Sequence, residues 1–172
     1  ISDALTAVLT RHSYHPIRDY LNGLQWDGVP RLDKIVIDYM GAEDNALNRA
    51  MCRKHFTAAV ARVFQPGCKY DYCLIMSGAE GIGKSTLLAI MGGSWFNDSI
   101  TTTEGKEGME QLRRAWLIEL GELSSIKRSD VEQVKAYLSK QVDIYRAAYG
   151  RRVSEHPRQC VFCGTTNETL FL

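Results

Sequence analysis

The sequence predicts an α/β fold: a parallel sheet wrapped by helices, preceded by a helical N-terminal region. Three observations carry that reading. A short apolar run, Tyr72 to Ser77, leads straight into the glycine-rich Gly78-Ala79-Glu80-Gly81-Ile82-Gly83-Lys84-Ser85-Thr86, which is strand, loop and helix start in succession. Two further apolar runs, Ala115 to Leu120 and Arg158 to Thr165, read as strands, with a helical segment between them. Strands alternating with helices imply a parallel sheet covered on both sides. The expected organisation is a helical region over residues 1–70 and a phosphate-binding core over 71–172, incomplete at its C-terminus.

Each element has a local reason. Ile17 to Leu24 is a short helix ended by Gly23 and the Trp26-Asp27-Gly28-Val29-Pro30 turn. Pro30 suits the start of a second helix, where Leu32, Ile35, Val36 and Tyr39 follow at helical spacing and Gly41 stops it. Asp44 or Asn45 caps a longer third helix. Its apolar face is expected to be Leu47, Met51, His55 or Phe56, Ala59, Val60, Val63 and Phe64, with Pro66-Gly67 as its stop. Ser85 to Met91 continues as helix after the glycine-rich loop and closes at Gly92-Gly93. Ile100 to Thr103 is a weak strand candidate. Ser129-Asp-Val-Glu132 is a capping box that opens a helix to about Lys140.

Bulk properties exclude several classes. The 172 residues are 45% hydrophobic and 24% charged, which is a globular composition. A net charge of +1 excludes a globally basic nucleic-acid coat but not a local basic stripe. No stretch of about 18 apolar residues is present to span a bilayer. The start, Ile-Ser-Asp-Ala-Leu, has no charged segment leading into an apolar one. A cytoplasmic chain, read as a piece of a longer protein, is the expectation. The five cysteines, 52, 68, 73, 160 and 163, fit reduced thiols. Cys160-Val-Phe-Cys163 has metal or redox spacing, but positions three apart on a strand face opposite sides, so core thiols are the expectation.

The chemistry begins at residues 78–86. Phosphate oxygens need many N–H donors at once, and glycines let the backbone wrap tightly enough to aim its amides inward. The following helix presents its N-terminus to the same anion. In this G-x-x-x-x-G-K-S pattern, Lys84 is expected to reach the β- and γ-phosphates of a nucleoside triphosphate, and the Ser85 hydroxyl to ligate Mg²⁺.

Two acids follow in Trp116-Leu-Ile-Glu119-Leu-Gly-Glu122. A P-loop ATPase needs an acid on the adjacent strand to hold Mg²⁺ through water, and a Glu to orient the attacking water. The two carboxylates are about 10 Å apart in extended chain. A strand ending at Leu120 makes Glu119 the Mg²⁺-side acid, and one ending at Gly121 puts Glu122 where the water-orienting Glu belongs. Glu122 is favoured for the water. Asn167, after Thr165-Thr166 at a strand end, offers both donor and acceptor to a γ-phosphate. Between residues 140 and 158 stand Lys140, Arg146, Arg151, Arg152 and Arg158, with Tyr145 and Tyr149 interleaved and Gly150 as a hairpin turn. The arginines are candidates for single-stranded DNA contact or for acting in trans on a neighbour's γ-phosphate. A solvated loop of paired charges is the third reading. No N-K-x-D for guanine occurs, and Asp-x-x-Gly appears only at Asp38 to Gly41, before the loop, which argues against a GTPase.

Taken in order, a longer set of strings carries a resemblance. They are Asp19-Tyr-Leu-Asn-Gly-Leu-Gln-Trp26-Asp27-Gly28-Val-Pro30-Arg31-Leu32, Ala58-Ala-Val-Ala-Arg62, Pro66-Gly67-Cys-Lys69-Tyr-Asp71, the glycine-rich loop and Trp116 to Leu123. Asp143 with Arg146, Tyr149-Gly150-Arg151 and Pro157 to Asn167 complete the set. The chain resembles the virulence-associated protein E family, P-loop ATPases of prophages and pathogenicity islands similar to superfamily-three and phage primase-helicases. The resemblance implies an AAA+-like core and ring assembly as a hexamer, with ATP sites between subunits. It also implies translocation on DNA, single-stranded in the reading above, during replication of a mobile element. In such proteins arginines lie beyond the asparagine, past Leu172, so nucleotide binding with weak independent turnover is expected of this stretch. The alternatives are a non-motor ATP-dependent switch or assembly module and, less favoured, a nucleotide kinase.

Overall fold

The computed structural model describes residues 14–100, 105–121, 131–146 and 152–168, together with Ala4 and Val8. Helix α1 (Pro16–Gly23) is capped by His15, whose Nδ1 accepts from the Arg18 backbone N–H. A 3₁₀ turn over Leu32–Lys34 leads into α2 (Ile35–Met40), which ends on Gly41 in the left-handed region at φ 69°. Asn45 caps α3 (Ala46–Phe64) by accepting from the Asn48 N–H at 2.8 Å.

The sheet comprises β1 (Leu74–Ser77), β2 (Phe96–Asn97), β3 (Leu117–Leu120) and β6 (Val161–Thr166), all parallel, in the order β1-β6-β3-β2. Between them run α4 (Lys84–Gly92), α5 (Gly105–Leu112) and α6 (Val131–Leu138). Strands β4 (Val142–Tyr145) and β5 (Ser154–Pro157) form a separate antiparallel hairpin. The α/β class with helices ahead of a parallel sheet is therefore as the sequence predicts. Strand β6 is central and buried at all six positions, which is why it reads as continuous apolar and small residues rather than an alternation.

One face of the sheet receives α1 to α4. Val36, Cys52, Phe56 and Leu88 pack on Leu74, Met76 and Cys163, while Ile17, Ala59 and Val63 pack on Trp116, Leu117 and Val161. The other face packs Leu112 and Tyr137 on Ile118, Cys160 and Phe162. Cys160 and Cys163 thus belong to opposite faces, as three-residue spacing on a strand requires. Gly92 permits the close approach of α4 to the sheet, because a Cβ there would stand 2.9 Å from Phe96 Cβ and 3.3 Å from Leu117 Cβ.

Some expectations shift. The buried stripe of α3 is Cys52, His55, Phe56, Ala59, Arg62 and Val63, and Leu47 is 66% exposed. Two polar residues occupy stripe positions because each finds partners inside. His55 Nε2 lies 3.1 Å from Cys163 Sγ, and Arg62 donates to the Cys160 and Lys140 carbonyls. Ile100 lies in no strand, residues 101–104 are outside the described set, and β2 forms earlier at Phe96–Asn97. The Ser129 capping box is also outside the described residues. The acidic strand β3 is not the neighbour of β1, since β6 lies between them.

Candidate functional site

At the C-terminal ends of β1, β6 and β3 lies a cavity of about 600 Å³ lined by Gly81, Gly83, Lys84, Ser85, Glu119, Thr165 and Asn167, among others. This is the end at which open parallel sheets bind ligands. Gly78 leaves β1 with its N–H still donating to the Thr166 carbonyl at 3.3 Å. Ala79 and Glu80 begin the turn, and Gly81 and Gly83 hold φ of 80° and 93°, a region that costs residues with a Cβ. Ile82 lies between them, and Gly83 is the N-cap of α4, so the free N–H groups of Lys84, Ser85 and Thr86 open the helix. The orphan donors of the first turn and the helix dipole make this end suited to an anion.

Lys84 is buried at 7% exposure. Its ammonium donates to the carbonyls of Gly78 at 2.7 Å and Ala79 at 2.9 Å, and to the Asn167 side-chain oxygen at 3.0 Å. The Ser85 hydroxyl donates to Glu119 Oε1 at 2.6 Å. The same oxygen receives the Thr165 hydroxyl, also at 2.6 Å. Glu119 Oε2 is buried and has no hydrogen-bond partner among the described residues. A single cluster thus gathers a cation, two hydroxyls and a buried carboxylate with one oxygen unpartnered.

Strand β3 ends at Leu120, the boundary that the sequence ties to Glu119 as the cation-side acid. The insertion of β6 between β1 and β3 does not separate Ser85 from Glu119, because α4 crosses over β6 to reach it. Glu122 lies outside the described residues. Thr165 was visible in the sequence only as part of the strand end carrying Asn167. Its contact with Glu119 depends on register: Cys163 pairs with Glu119, and Thr165 stands two residues farther along β6 on the same face.

The basic segment divides. Asp143 pairs with His156 across the β4–β5 hairpin, and the turn through Tyr149 and Gly150 is outside the described residues, as is Arg151. Arg146 and Arg152 are exposed on either side of that turn. Arg158 is withdrawn from the candidates for DNA or trans contact. Its side chain is 1% exposed and donates to both Asp143 oxygens at 2.7 and 2.8 Å and to the Tyr137 carbonyl. The guanidinium carbon stands 4.6 Å from the Tyr137 ring centroid. Tyr145 is buried and stacks on His156 at 4.2 Å, so it offers no open ring for a base.

A second cavity of about 450 Å³ adjoins the first, sharing Lys84 with it and lined by Val36, Met40, Ala42, Asn48, Met76, Gly78 and Ile82, among others. Elsewhere, burial raises the Cys73 thiol to about 12 and the Cys160 thiol to about 11. The five cysteines are free, and the described residues hold no group of three or more His, Cys, Asp or Glu poised for a metal. No helix among the described residues is long and apolar enough to cross a membrane.

Residues 21–172 match the virulence-associated protein E-like domain. The chain belongs to that family. Three solved apo structures of the NrS-1 C-terminal region are similar in fold, with TM-scores of 0.54, 0.51 and 0.51 and identities of 17%, 16% and 15%. Each match covers 84% of this chain and 35%, 34% and 35% of the respective NrS-1 chain. This virulence-associated protein E-like domain therefore spans about a third of the length of those structures, and at such identity the likeness carries the fold alone. No curated protein matches the chain.

Proposed function

We propose that this chain is the ATP-binding and hydrolysing core of a DNA helicase or primase-helicase of a mobile element. The observation that carries the reading is the contact between Ser85 and Glu119 beside Lys84. A hydroxyl at a helix N-terminus donates to a buried carboxylate, whose second oxygen has no partner among the described residues. A buried carboxylate oxygen left without a donor is costly. A hydrated Mg²⁺ fits it, because metal-bound water donates to the carboxylate while the Ser85 oxygen keeps lone pairs for the ion.

In this reading the loop amides of residues 78–86 and Lys84 hold the phosphates, Ser85 and Glu119 hold Mg²⁺, Glu122 or Glu119 orients the water, and Asn167 contacts the γ-phosphate. Bound Mg²⁺ would neutralise charge on the transferring phosphoryl group. The second cavity is open for the nucleoside, with apolar side chains and Asn48 in its lining. Arg146, Arg151 and Arg152 are the arginines assigned to single-stranded DNA or to a neighbour's γ-phosphate in a ring, hexameric in the full-length protein. The core is assigned to residues 71–172 and the helical region to 1–70.

The test is ATP hydrolysis by the full-length protein with and without single-stranded DNA, beside Lys84→Ala. Turnover that rises with DNA and vanishes in the variant supports a motor. ATP binding with turnover indifferent to DNA supports the switch or assembly module instead. Unchanged ATP affinity in Lys84→Ala removes the phosphate assignment.

A further inference from the structure

The proposed function leaves Thr165 without a role, yet its hydroxyl donates to the same Glu119 oxygen as Ser85, at the same 2.6 Å. Glu119 is 4% exposed and Thr165 is 7% exposed. Oε1 of Glu119 receives two hydroxyl donors, Ser85 from α4 and Thr165 from β6, each at 2.6 Å. Oε2 receives none among the described residues. We propose that Thr165 is a positioning residue for Glu119, fixing which carboxylate oxygen is left to accept from water on the cation. The proposal rests on the assignment of Mg²⁺ to Ser85 and Glu119.

The physical case is one of degrees of freedom. A carboxylate held by a single hydroxyl can still rotate about its terminal torsion and exchange its two oxygens. A second donor on the same oxygen, from a different element, removes that exchange. Threonine suits the task because its β-branched side chain has restricted χ1 freedom on a strand, so the hydroxyl is placed by the backbone. It also explains how β3 serves a loop that grows from β1. The intervening strand β6 pairs Met76 with Thr165 on one side and Glu119 with Cys163 on the other. Thr165 therefore ties the acid of β3 to the strand beside β1. Hydrogen bonds to an ionised acceptor are roughly twice as strong as neutral ones, so the restraint is substantial.

The experiment uses the full-length protein and a fluorescent ATP analogue, titrated with Mg²⁺ and again with chelator. Thr165→Val keeps the shape and removes the donor, and Thr165→Ser keeps the donor. Wild type is expected to bind more tightly with Mg²⁺. Thr165→Val is expected to lose about tenfold of that Mg²⁺-linked gain, the scale of one charge-assisted hydrogen bond. Its affinity in chelator and its urea midpoint stay near those of wild type, and Thr165→Ser recovers most of the Mg²⁺ response. A Thr165→Val protein with the full response overturns the role of Thr165 alone. A wild type that binds ATP with no Mg²⁺ response overturns the cation assignment and this proposal with it. Should Thr165→Val unfold, Thr165→Ala beside Thr165→Ser decides: a full Mg²⁺ response in Thr165→Ala overturns the proposal, and a lost response that Thr165→Ser largely recovers upholds it.

Discussion

Lys84 and Asn167 are joined by a hydrogen bond of 3.0 Å from the ammonium to the side-chain oxygen. Lysine only donates, so the amide must present its oxygen to it and turn its NH₂ elsewhere. The contact links the first residue of α4 to the residue just past β6, across the mouth of the cavity.

Asn167→Ala takes away one of three acceptors from Lys84 and leaves the Gly78 and Ala79 carbonyls in place. Phosphate oxygens compete for the same ammonium, so removing a competitor does not weaken binding. ATP affinity is expected to stay within about threefold of wild type, while turnover by the full-length protein falls about 10²–10³-fold, the range for loss of one donor to developing charge. Nucleotide titration and steady-state turnover, measured together, check this. A collapse of affinity like that expected of Lys84→Ala would make Asn167 a binding residue and not a sensor of the γ-phosphate.

Arg158 and Asp143 form a buried ion pair with side chains 1% and 3% exposed. The pair ties β4 to the connection between β5 and β6, and Arg158 also closes over the Tyr137 ring. Removing one partner strands the other charge in the interior. Arg158→Ala is expected to cost about 3–5 kcal/mol of stability, the usual scale for breaking such a pair. Asp143→Asn is expected to be destabilising as well. Urea unfolding of each variant and of the double variant measures the coupling. A loss below about 1 kcal/mol would place Arg158 with exposed, solvent-screened pairs and reopen a surface role for it.

What was legible in the sequence followed from backbone demands. Gly81 and Gly83 mark positive φ, Lys84 and Ser85 open a helix, and the apolar runs mark strands, buried on both faces along most of β3 and all of β6 but only at alternate positions in β1. Those features are local, and the structure reproduces them. The misplaced parts depended on which strands are neighbours. Nothing in the run from Ala115 to Leu120 reveals that β6, the last strand, inserts between it and β1. The contact of Thr165 with Glu119 was therefore hidden, and Arg158 looked like a free surface cation. The stripe on α3 slipped for a related reason: Arg62 is charged by composition yet buried through partners distant in sequence, while Leu47, Met51, Val60 and Phe64 stay exposed.

His55 contributes a pH dependence to the stability of the fold. It is 1% exposed, with Nδ1 2.9 Å from the Tyr70 hydroxyl and Nε2 3.1 Å from Cys163 Sγ. Neither partner carries charge at neutral pH, because burial raises both the Tyr70 hydroxyl and the Cys163 thiol above their usual values. Burial disfavours the imidazolium and lowers His55 from 6.5 to about 4. The folded chain thus keeps His55 neutral where the unfolded chain protonates it. Between pH 6.5 and about 4 the unfolded state binds the extra proton, so stability falls as pH falls and is fully recovered above 6.5. The slope from this group approaches about 1.4 kcal/mol per pH unit, for a total on the order of 3 kcal/mol. His55→Gln has no such proton to take up, so its urea midpoint, though lower at pH 7, is expected to change less from pH 7 to pH 4.5 than that of wild type. Parallel pH profiles for the two proteins would mean that His55 titrates alike in both states, and that the site around Cys163 admits water.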